Sequence, residues 1–313
     1  ATQKGTIVSI VFMGVLIGNL ISGPCSDRIG RQWPVIISIA AVGIFSILSA
    51  FTVSFWTLSI VRGVVGLGFG FGVPVSSVYC LEIAPTSWRS FSYCLIVTLY
   101  TAGEAYSAYI IWLDDPSMKH LDWRWLLIVG ALPSILLTFL CAAYLNESPS
   151  WLASRGREGE AREVLSKMVE MNGSRCAKLE IDAPKKKTVS ADIQRDLGFI
   201  LGPAMRYTTL VSCFTSFCKD FIFFGGGYVF PQVLSETVTL GTSPAVALLM
   251  GVLLELPGIT LVLGFDRVMD RRPTIVVILA TLTTCMLAFV FGGSHKLGGG
   301  WFEYSMVLFG YGG

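Results

Sequence analysis

Long apolar segments separated by short polar loops constrain this chain more than any other feature. They run approximately over 5–23, 33–53, 55–80, 91–113, 125–145, 207–234, 245–265 and 274–292, and another begins at Trp301. A helix rises about 1.5 Å per residue and the hydrocarbon layer is about 30 Å thick, so about 20 apolar residues span it. Because lipid cannot hydrogen-bond a backbone, each segment is predicted to be a helix. The chain is therefore predicted to be an all-α polytopic membrane protein.

Composition excludes several other classes of protein. The chain is 53% hydrophobic and 14% charged, whereas roughly a quarter of the residues in a soluble domain are charged. The net charge of +2 gives no basic stripe for nucleic acid. The cysteines form no C-x-x-C pair and the two histidines fall in separate predicted loops, so no metal site, cofactor or catalytic cluster is predicted. The expected partners are the lipid bilayer and a small solute, and no enzyme is predicted.

The basic residues predict how the chain is oriented in the membrane. The polar segment 146–205 contains the run Lys185, Lys186 and Lys187. Arg28 and Arg89 lie in shorter loops that fall on the same side as this segment. Because Lys and Arg accumulate in cytosolic loops, this side is predicted to be cytosolic. Apolar residues at helical spacing over 161–169 also predict a short surface helix in the long loop.

The first basic loop reads Gly23-Pro-Cys-Ser-Asp27-Arg28-Ile-Gly30-Arg31. The helix is expected to end at Gly23, and the acid and the basic residues beyond it are expected to form an ion pair at the membrane edge. Such a pair can break and re-form when helices move, as in a gate. The alternative is that Arg28 and Arg31 only anchor the topology. The order G-x-x-x-D-R-x-G-R resembles the signature loop of the major facilitator superfamily.

The third span carries Arg62 ahead of closely spaced glycines that include Gly66 and Gly70. Small residues four positions apart allow another helix backbone to approach closely. An arginine inside a span is expected to face the protein interior. The pattern resembles the second signature of the superfamily, which is associated there with proton-coupled members. A purely structural role for Arg62 is equally compatible with the sequence.

Two further motifs complete the resemblance of the first half. Tyr79, Glu82, Pro85 and Arg89 fit the pattern Y-x-x-E-x-x-P-x-x-x-R of sugar porters and organic ion transporters. The segment 146–151 resembles the P-E-S-P-R-W motif of those families and keeps Glu147 at its acid. The resemblance assigns Glu82, Arg89 and Glu147 to the cytosolic gate, with Glu147 and Arg89 as a candidate pair.

The second half points to one branch of the superfamily. The helix after the long loop has Phe224 before Gly225 and lacks the glutamine-rich motif of sugar porters. Together with Glu255 two residues before Pro257, these features resemble the synaptic-vesicle-protein-two-related and organic ion transporter branch. A loop containing Arg271 resembles a second copy of the signature, so Arg271 is also assigned to the gate.

The resemblance implies a two-bundle fold of the major facilitator type, represented here by family helices two to ten. The chain begins with Ala1 and its first helix starts almost at once, so the first family helix and the last two are expected to be missing. The expected domains are an N-terminal bundle at 1–145, a cytosolic linker with a short amphipathic helix at 146–205, and a C-terminal bundle at 206–313.

The implied function is secondary transport or facilitated movement of a small organic ion or metabolite, with proton coupling as an open alternative. The alternatives are a facilitator-like protein that acts as a vesicle-membrane binding or trafficking partner, and a sugar porter. The expected location is the plasma membrane or an intracellular vesicle membrane. Charged and aromatic side chains inside the predicted spans are expected to line the translocation path; they are Arg62, Glu104, Lys219, Asp220, Phe224 and Glu255. The alternative is that the acids only neutralise the bases.

Overall fold

The structure is a computed structural model. It describes residues 2–85, 88–171, 198–203 and 205–237, and shorter stretches at 243, 245–246, 248–253, 255–258, 273, 276–277, 280–281 and 283–284. The predicted spans beyond residue 258 and the loop residues 172–197 lie largely or wholly outside these ranges. Five helices in the described part are long and apolar enough to cross a membrane.

These helices follow the first five predicted spans. They are α1 (Thr2–Ile29), α2 (Gln32–Ala50), α3 (Phe55–Ile83), α4 (Arg89–Asp114) and α5 (Trp123–Tyr144). Each helix has about the 20 residues needed to cross the hydrocarbon core, or more. The prediction of an all-α polytopic membrane protein is therefore confirmed.

The end of α1 differs from the prediction. The helix does not stop at Gly23 but continues through Pro24 to Ile29. It ends at Gly30, whose φ of 115° is left-handed and whose amide donates to the Ser26 carbonyl at 3.0 Å. A glycine in this conformation is a common helix terminator, because its lack of a Cβ removes the steric penalty. Asp27 consequently lies on the last turn of α1 and not in a loop.

Close backbone contact joins α1 to α3. A Cβ added to Gly14 would lie 2.8 Å from the Leu67 amide nitrogen, and one added to Gly18 would lie 2.6 Å from that of Phe71. In the opposite direction, a Cβ on Gly70 would lie 2.7 Å from the Val15 Cα. Glycines on both helices thus remove the atoms that would hold the backbones apart. The close packing predicted for the glycine face of α3 is confirmed.

A second glycine face of α3 packs against α2. A Cβ on Gly72 would meet the Ser38 Cβ at 2.8 Å, and one on Gly68 would meet the Ala41 Cβ at 3.2 Å. The other side of α2 packs against α5, where a Cβ on Gly43 would lie 3.2 Å from the Ile135 Cγ1. The packing order is therefore α1, α3, α2 and α5.

Replacing Gly14 with alanine should destabilise this packing, because the new methyl group meets the backbone of α3 and not a movable side chain. The expected loss is about 1 kcal/mol or more, as for other overpacked sites. Gly23→Ala on the same helix is the matched control, since a Cβ there has nothing within 4 Å. Thermal unfolding of the intact protein in detergent should separate the two variants. Equal melting temperatures would show that the α1 and α3 backbones are farther apart than described.

Beyond α5 the chain forms α6 (Pro149–Ser154) and α7 (Glu158–Met171). The latter contains the predicted surface helix, and its Ala161 is fully buried. The next helix, α8 (Arg206–Thr237), covers the sixth predicted span. A shorter apolar helix, Leu248–Gly258, lies within the seventh. We refer to this last one as α9.

The chain forms two compact units. One comprises Ala1–Tyr93 with Asp122–Val189, and the other comprises Cys94–Leu121 with Ser190–Gly313. Within the second unit, the Ala245 amide donates to the Pro116 carbonyl at 3.4 Å and thereby joins the loop after α4 to the segment leading into α9. The domain boundaries expected from the sequence stay a prediction.

In the loop after α4, hydrogen bonds from Ser117 and His120 hold the pKa of Asp115 well below its ordinary value.

Candidate functional site

Arg31 is the centre of a polar cluster at one end of the first unit. Its guanidinium donates to the Asp27 carboxylate at 2.7 Å, to the Ser26 hydroxyl at 2.8 Å and to the Glu82 carboxylate at 3.3 Å. These contacts join the last turn of α1, the start of α2 and the last turn of α3. The Arg31 side chain is 12% exposed, whereas Asp27 is 52% exposed and Glu82 is 21% exposed. Because solvent screens an exposed pair more strongly, the Arg31–Glu82 pair is expected to be the stronger of the two.

A second partner holds Glu82 in place. The Ser148 hydroxyl donates to the Oε2 atom of Glu82 at 2.5 Å, while Arg31 contacts its Oε1 atom. Ser148 is fully buried and is also the N-cap of α6, where it accepts from the Trp151 amide. Serine followed by proline is a common start for a helix, because serine caps it and proline fits its first turn. The local sequence thus places Ser148 against Glu82.

Glu147 caps α2 from a distant part of the chain. Its Oε1 accepts from the Arg31 amide at 2.7 Å, the Gln32 amide at 3.3 Å and the Ser148 amide at 2.8 Å. Arg31 is the N-cap residue of α2 but provides no side-chain cap of its own. A carboxylate at a helix N-terminus satisfies unpaired amides and interacts favourably with the helix dipole. Gly30 leaves room for it, because a Cβ there would collide with the Glu147 carboxylate.

The end of α1 is held by α6. The Asp27 carbonyl accepts from the Trp151 indole at 3.0 Å and from the Arg155 guanidinium. That guanidinium also lies over the Trp151 ring, 5.6 Å from its centroid. The last carbonyls of a helix have no partner within the helix. Side chains of the segment after α5 therefore contact the ends of α1, α2 and α3.

The other predicted gate residues lie outside this cluster. Arg28 and Arg89 are exposed, and Arg271 lies outside the described residues. The expected pair between Glu147 and Arg89 does not form in the described part of the chain, since Glu147 is directed at the start of α2. The ion pair expected between the acid and a basic residue of the first basic loop is present as Asp27–Arg31. The gating role of these residues stays a prediction.

Two of the predicted translocation-path residues meet within the second unit. Glu104 on α4 and Glu255 on α9 are hydrogen-bonded through their carboxyl groups. The Thr101 hydroxyl donates to the Oε2 atom of Glu255 at 3.2 Å. The Tyr100 hydroxyl is hydrogen-bonded to Glu104. Both carboxyl groups are half-buried.

The remaining path residues are distributed over other helices. Arg62 is half-buried on α3, and Asp220 and Phe224 are exposed on α8. Lys219 lies on α8, but its side chain is outside the described part. The structure thus brings together Glu104 and Glu255 from this set, and a path-lining role for all six residues stays a prediction.

Several residues of the polar cluster were not assigned a role from the sequence. They are Ser26, Gln32, Tyr79, Ser148, Trp151 and Arg155. The Tyr79 hydroxyl donates to the Asn146 carbonyl at 2.6 Å, and the Gln32 amide group donates to the Leu145 carbonyl at 2.6 Å. Tyr79 and Trp151 belong to recognised motifs, and Ser148 has the N-cap pattern, so these three carried a signal. Ser26, Gln32 and Arg155 carried none.

Several known proteins are similar to this chain in sequence. The chain is 35% identical over 198 residues to organic cation/carnitine transporter 7 of Arabidopsis thaliana, an alignment that covers 61% of this chain and 39% of the plant protein. It is 31% identical over 226 residues to the synaptic vesicle 2-related protein of Xenopus laevis, covering 71% of this chain and 39% of the frog protein. It is also 34% identical over 185 residues to the arabinose-proton symporter of Bacillus subtilis, covering 57% of this chain and 39% of that protein. The chain thus aligns with well under half the length of these relatives.

The fold is shared with a solved transporter, and the sequence matches a family of transporters. A partially occluded, inward-open structure of the xylose transporter XylE from E. coli superimposes with a TM-score of 0.72 at 20% identity, covering 99% of this chain and 71% of that one. This likeness confirms the major facilitator fold expected from the sequence. The family model described as "Sugar (and other) transporter" matches residues 1–312. The chain therefore belongs to the sugar (and other) transporter family of integral membrane proteins.

Proposed function

We propose that the intact protein is a secondary transporter that moves a small organic solute across a membrane by alternating access. The cluster around Arg31 carries this proposal. It joins the ends of three membrane-spanning helices to the segment after α5 through ion pairs and hydrogen bonds. Alternating access needs contacts at a helix bundle's end that are stable in one state and can be released in another. Partly exposed ion pairs meet this need, since water can replace them at modest cost.

The proposed substrates are small polar organic molecules. The similar proteins include an organic cation/carnitine transporter, an arabinose-proton symporter, a D-xylose transporter and a probable polyol transporter. Charges of both signs on the spanning helices, such as Arg62 and Glu104, are compatible with a charged or a neutral polar solute. A charge inside a membrane is costly unless it is paired or faces water, so these residues support a polar pathway.

We also propose that transport is coupled to protons. One similar protein is named as a proton symporter. Carboxyl groups within spanning helices can accept and release a proton when their surroundings change. In this chain the candidates are Glu104, Asp220 and Glu255. Movement that alters their partners would alter their proton affinity, which is the physical basis of coupling.

Uptake by the intact protein in liposomes tests the proposal. The probes are radiolabelled carnitine, tetraethylammonium, xylose and arabinose, each tested with and without an inward proton gradient. We expect saturable uptake of at least one probe, accelerated by the gradient and abolished when a proton carrier dissipates it. Protein-free liposomes are the control for leakage. Flux that never saturates with any probe would contradict transport and would favour the binding or trafficking alternative.

A further inference from the structure

The contact between Glu104 and Glu255 requires a proton. Ionised carboxylates only accept hydrogen bonds, so two carboxyl groups that are hydrogen-bonded to each other must share at least one proton. The Oε2 atom of Glu255 already accepts from Thr101. Glu104 is hydrogen-bonded to the Tyr100 hydroxyl as well as to Glu255. The arrangement is satisfied when Glu255 carries the proton and donates it to an ionised Glu104.

The pair lies where α4 and α9 are joined by hydrogen bonds between their side chains. On α4, Thr101 and Ala108 are each 3% exposed, and they lie about one turn on either side of Glu104 on the same face. On α9, Val252 is 7% exposed and lies one turn before Glu255. Thr101 and Glu255, which hydrogen-bond each other, are 154 positions apart in the chain. The carboxyl pair is thus part of the interface that holds α4 against α9.

On α4, Tyr100 is the titratable residue that interacts with the pair, through its hydrogen bond to Glu104. No Lys, Arg or His side chain acts on either carboxyl group among the side chains that the structure describes. Without a nearby cation, removing the shared proton leaves two negative charges in contact. Two negative charges in direct contact repel each other strongly where the surroundings are apolar.

We propose that Glu104 and Glu255 hold one proton between α4 and α9, and that release of this proton separates the two helices. The O–H bond of Glu255 breaks, the proton passes to water, and two carboxylates remain. Repulsion then acts directly on the helix contact. Pro257, two residues after Glu255, lacks the amide that would complete the helix ladder and so makes bending there easier.

Under the proposed function, this pair is the site of the coupling proton. That assignment rests on the protein being a transporter, whereas the sharing of the proton and the separation of the helices do not. The coupling role can therefore be tested separately from the proton sharing and the helix separation. The last two are tested by changes in protonation alone, without a transported solute.

Infrared difference spectroscopy of the intact protein in lipid tests the sharing of the proton. The wild type minus Glu255→Gln spectrum should contain one protonated-carboxyl band that shifts in heavy water. Glu104→Gln should retain that band at a shifted frequency, because the amide oxygen still accepts from Glu255. Glu170→Gln, at an exposed position on α7, should leave the band unchanged. A protonated-carboxyl band that persists in Glu255→Gln, or no such band in the wild type, would overturn the proposal.

Distance measurement between two spin labels tests the separation of the helices. Gly103 on α4 and Gly258 at the end of α9 are suitable positions, since a Cβ at either has nothing within 4 Å. With the native cysteines replaced, the distance between the labels should lengthen as pH rises. The same labels in a Glu104→Gln, Glu255→Gln background should show no such shift, because the pair can no longer become charged. A distance independent of pH in the otherwise native protein would overturn the switch.

Uptake measurements then connect the switch to transport. Both single glutamine variants should lose gradient-driven uptake while keeping substrate exchange, and Glu170→Gln should keep both. If the infrared and distance results hold but no probe is transported, the proposed function fails and the proton switch stands. If uptake is gradient-driven and both variants retain it, the pair is not the coupling site.

Discussion

Arg31→Leu should strongly slow solute uptake by the intact protein while leaving the protein in the membrane. Removing one partner of a fully buried pair costs about 3–5 kcal/mol, and removing one of an exposed pair costs about 0–1 kcal/mol. Arg31 is 12% exposed and its partner Glu82 is 21% exposed, so about 2–3 kcal/mol is expected here. The state that contains the cluster would lose roughly 30- to 150-fold in population. A transport cycle that must pass through this state would slow in proportion.

Arg162→Leu is the matched control, because it makes the same chemical change at an exposed position on α7 that has no predicted gate role. It should leave uptake within about twofold of the wild type, as expected for a surface charge. Uptake rate and labelling of a cysteine introduced on the cytosolic side should be measured together for both variants. Labelling should increase in Arg31→Leu. Equal uptake in the two variants would show that the Arg31 cluster is not part of the gate.

Sequence patterns predicted the local features of this site well. The glycine repeat of α3 depends on spacing along one helix, and the structure confirms that another helix backbone approaches it closely; that helix is α1. The Asp27–Arg31 pair also depends on four-residue spacing near the end of α1. The position of Gly23 was misleading, because an isolated glycine is tolerated within a helix and the terminator is Gly30. Local sequence patterns therefore predicted a contact correctly only where residue spacing along one helix determined it.

Contacts between distant segments could not be predicted in the same way. Glu104 and Glu255 were each selected as charges inside a span, but nothing in either segment specifies the other as its partner. Their contact arises because the second unit packs α4 against α9. Glu147 was assigned to the gate with Arg89 as its partner, whereas its carboxylate caps the start of α2. A pairing across the chain depends on helix packing, and a single sequence does not contain that information.

Glu147 caps α2 from a distant part of the same chain, so its alanine and glutamine variants are expected to differ in stability. Glu147→Ala removes the acceptor for the amides of Arg31, Gln32 and Ser148. Loss of a helix cap costs about 0.5–2 kcal/mol, and loss of a carboxylate at a helix N-terminus adds about 0.3–1 kcal/mol. Glu147→Gln keeps an oxygen acceptor and loses only the charge. The alanine variant should therefore lose about 2 kcal/mol and the glutamine variant less than 1 kcal/mol.

Thermal unfolding of the intact protein, followed at two salt concentrations, distinguishes the cap from an ordinary ion pair. If Glu147 acts mainly through hydrogen bonds to the start of α2, Glu147→Gln should unfold near the wild-type temperature and Glu147→Ala well below it. The difference between the two variants should be nearly independent of salt, because it comes from the acceptor and not from the charge. If Glu147 acted instead as the partner of a basic side chain, the two variants would be equally unstable, since both remove the charge. Equal destabilisation would thus reject the cap and return Glu147 to the ion-pair role expected from the sequence.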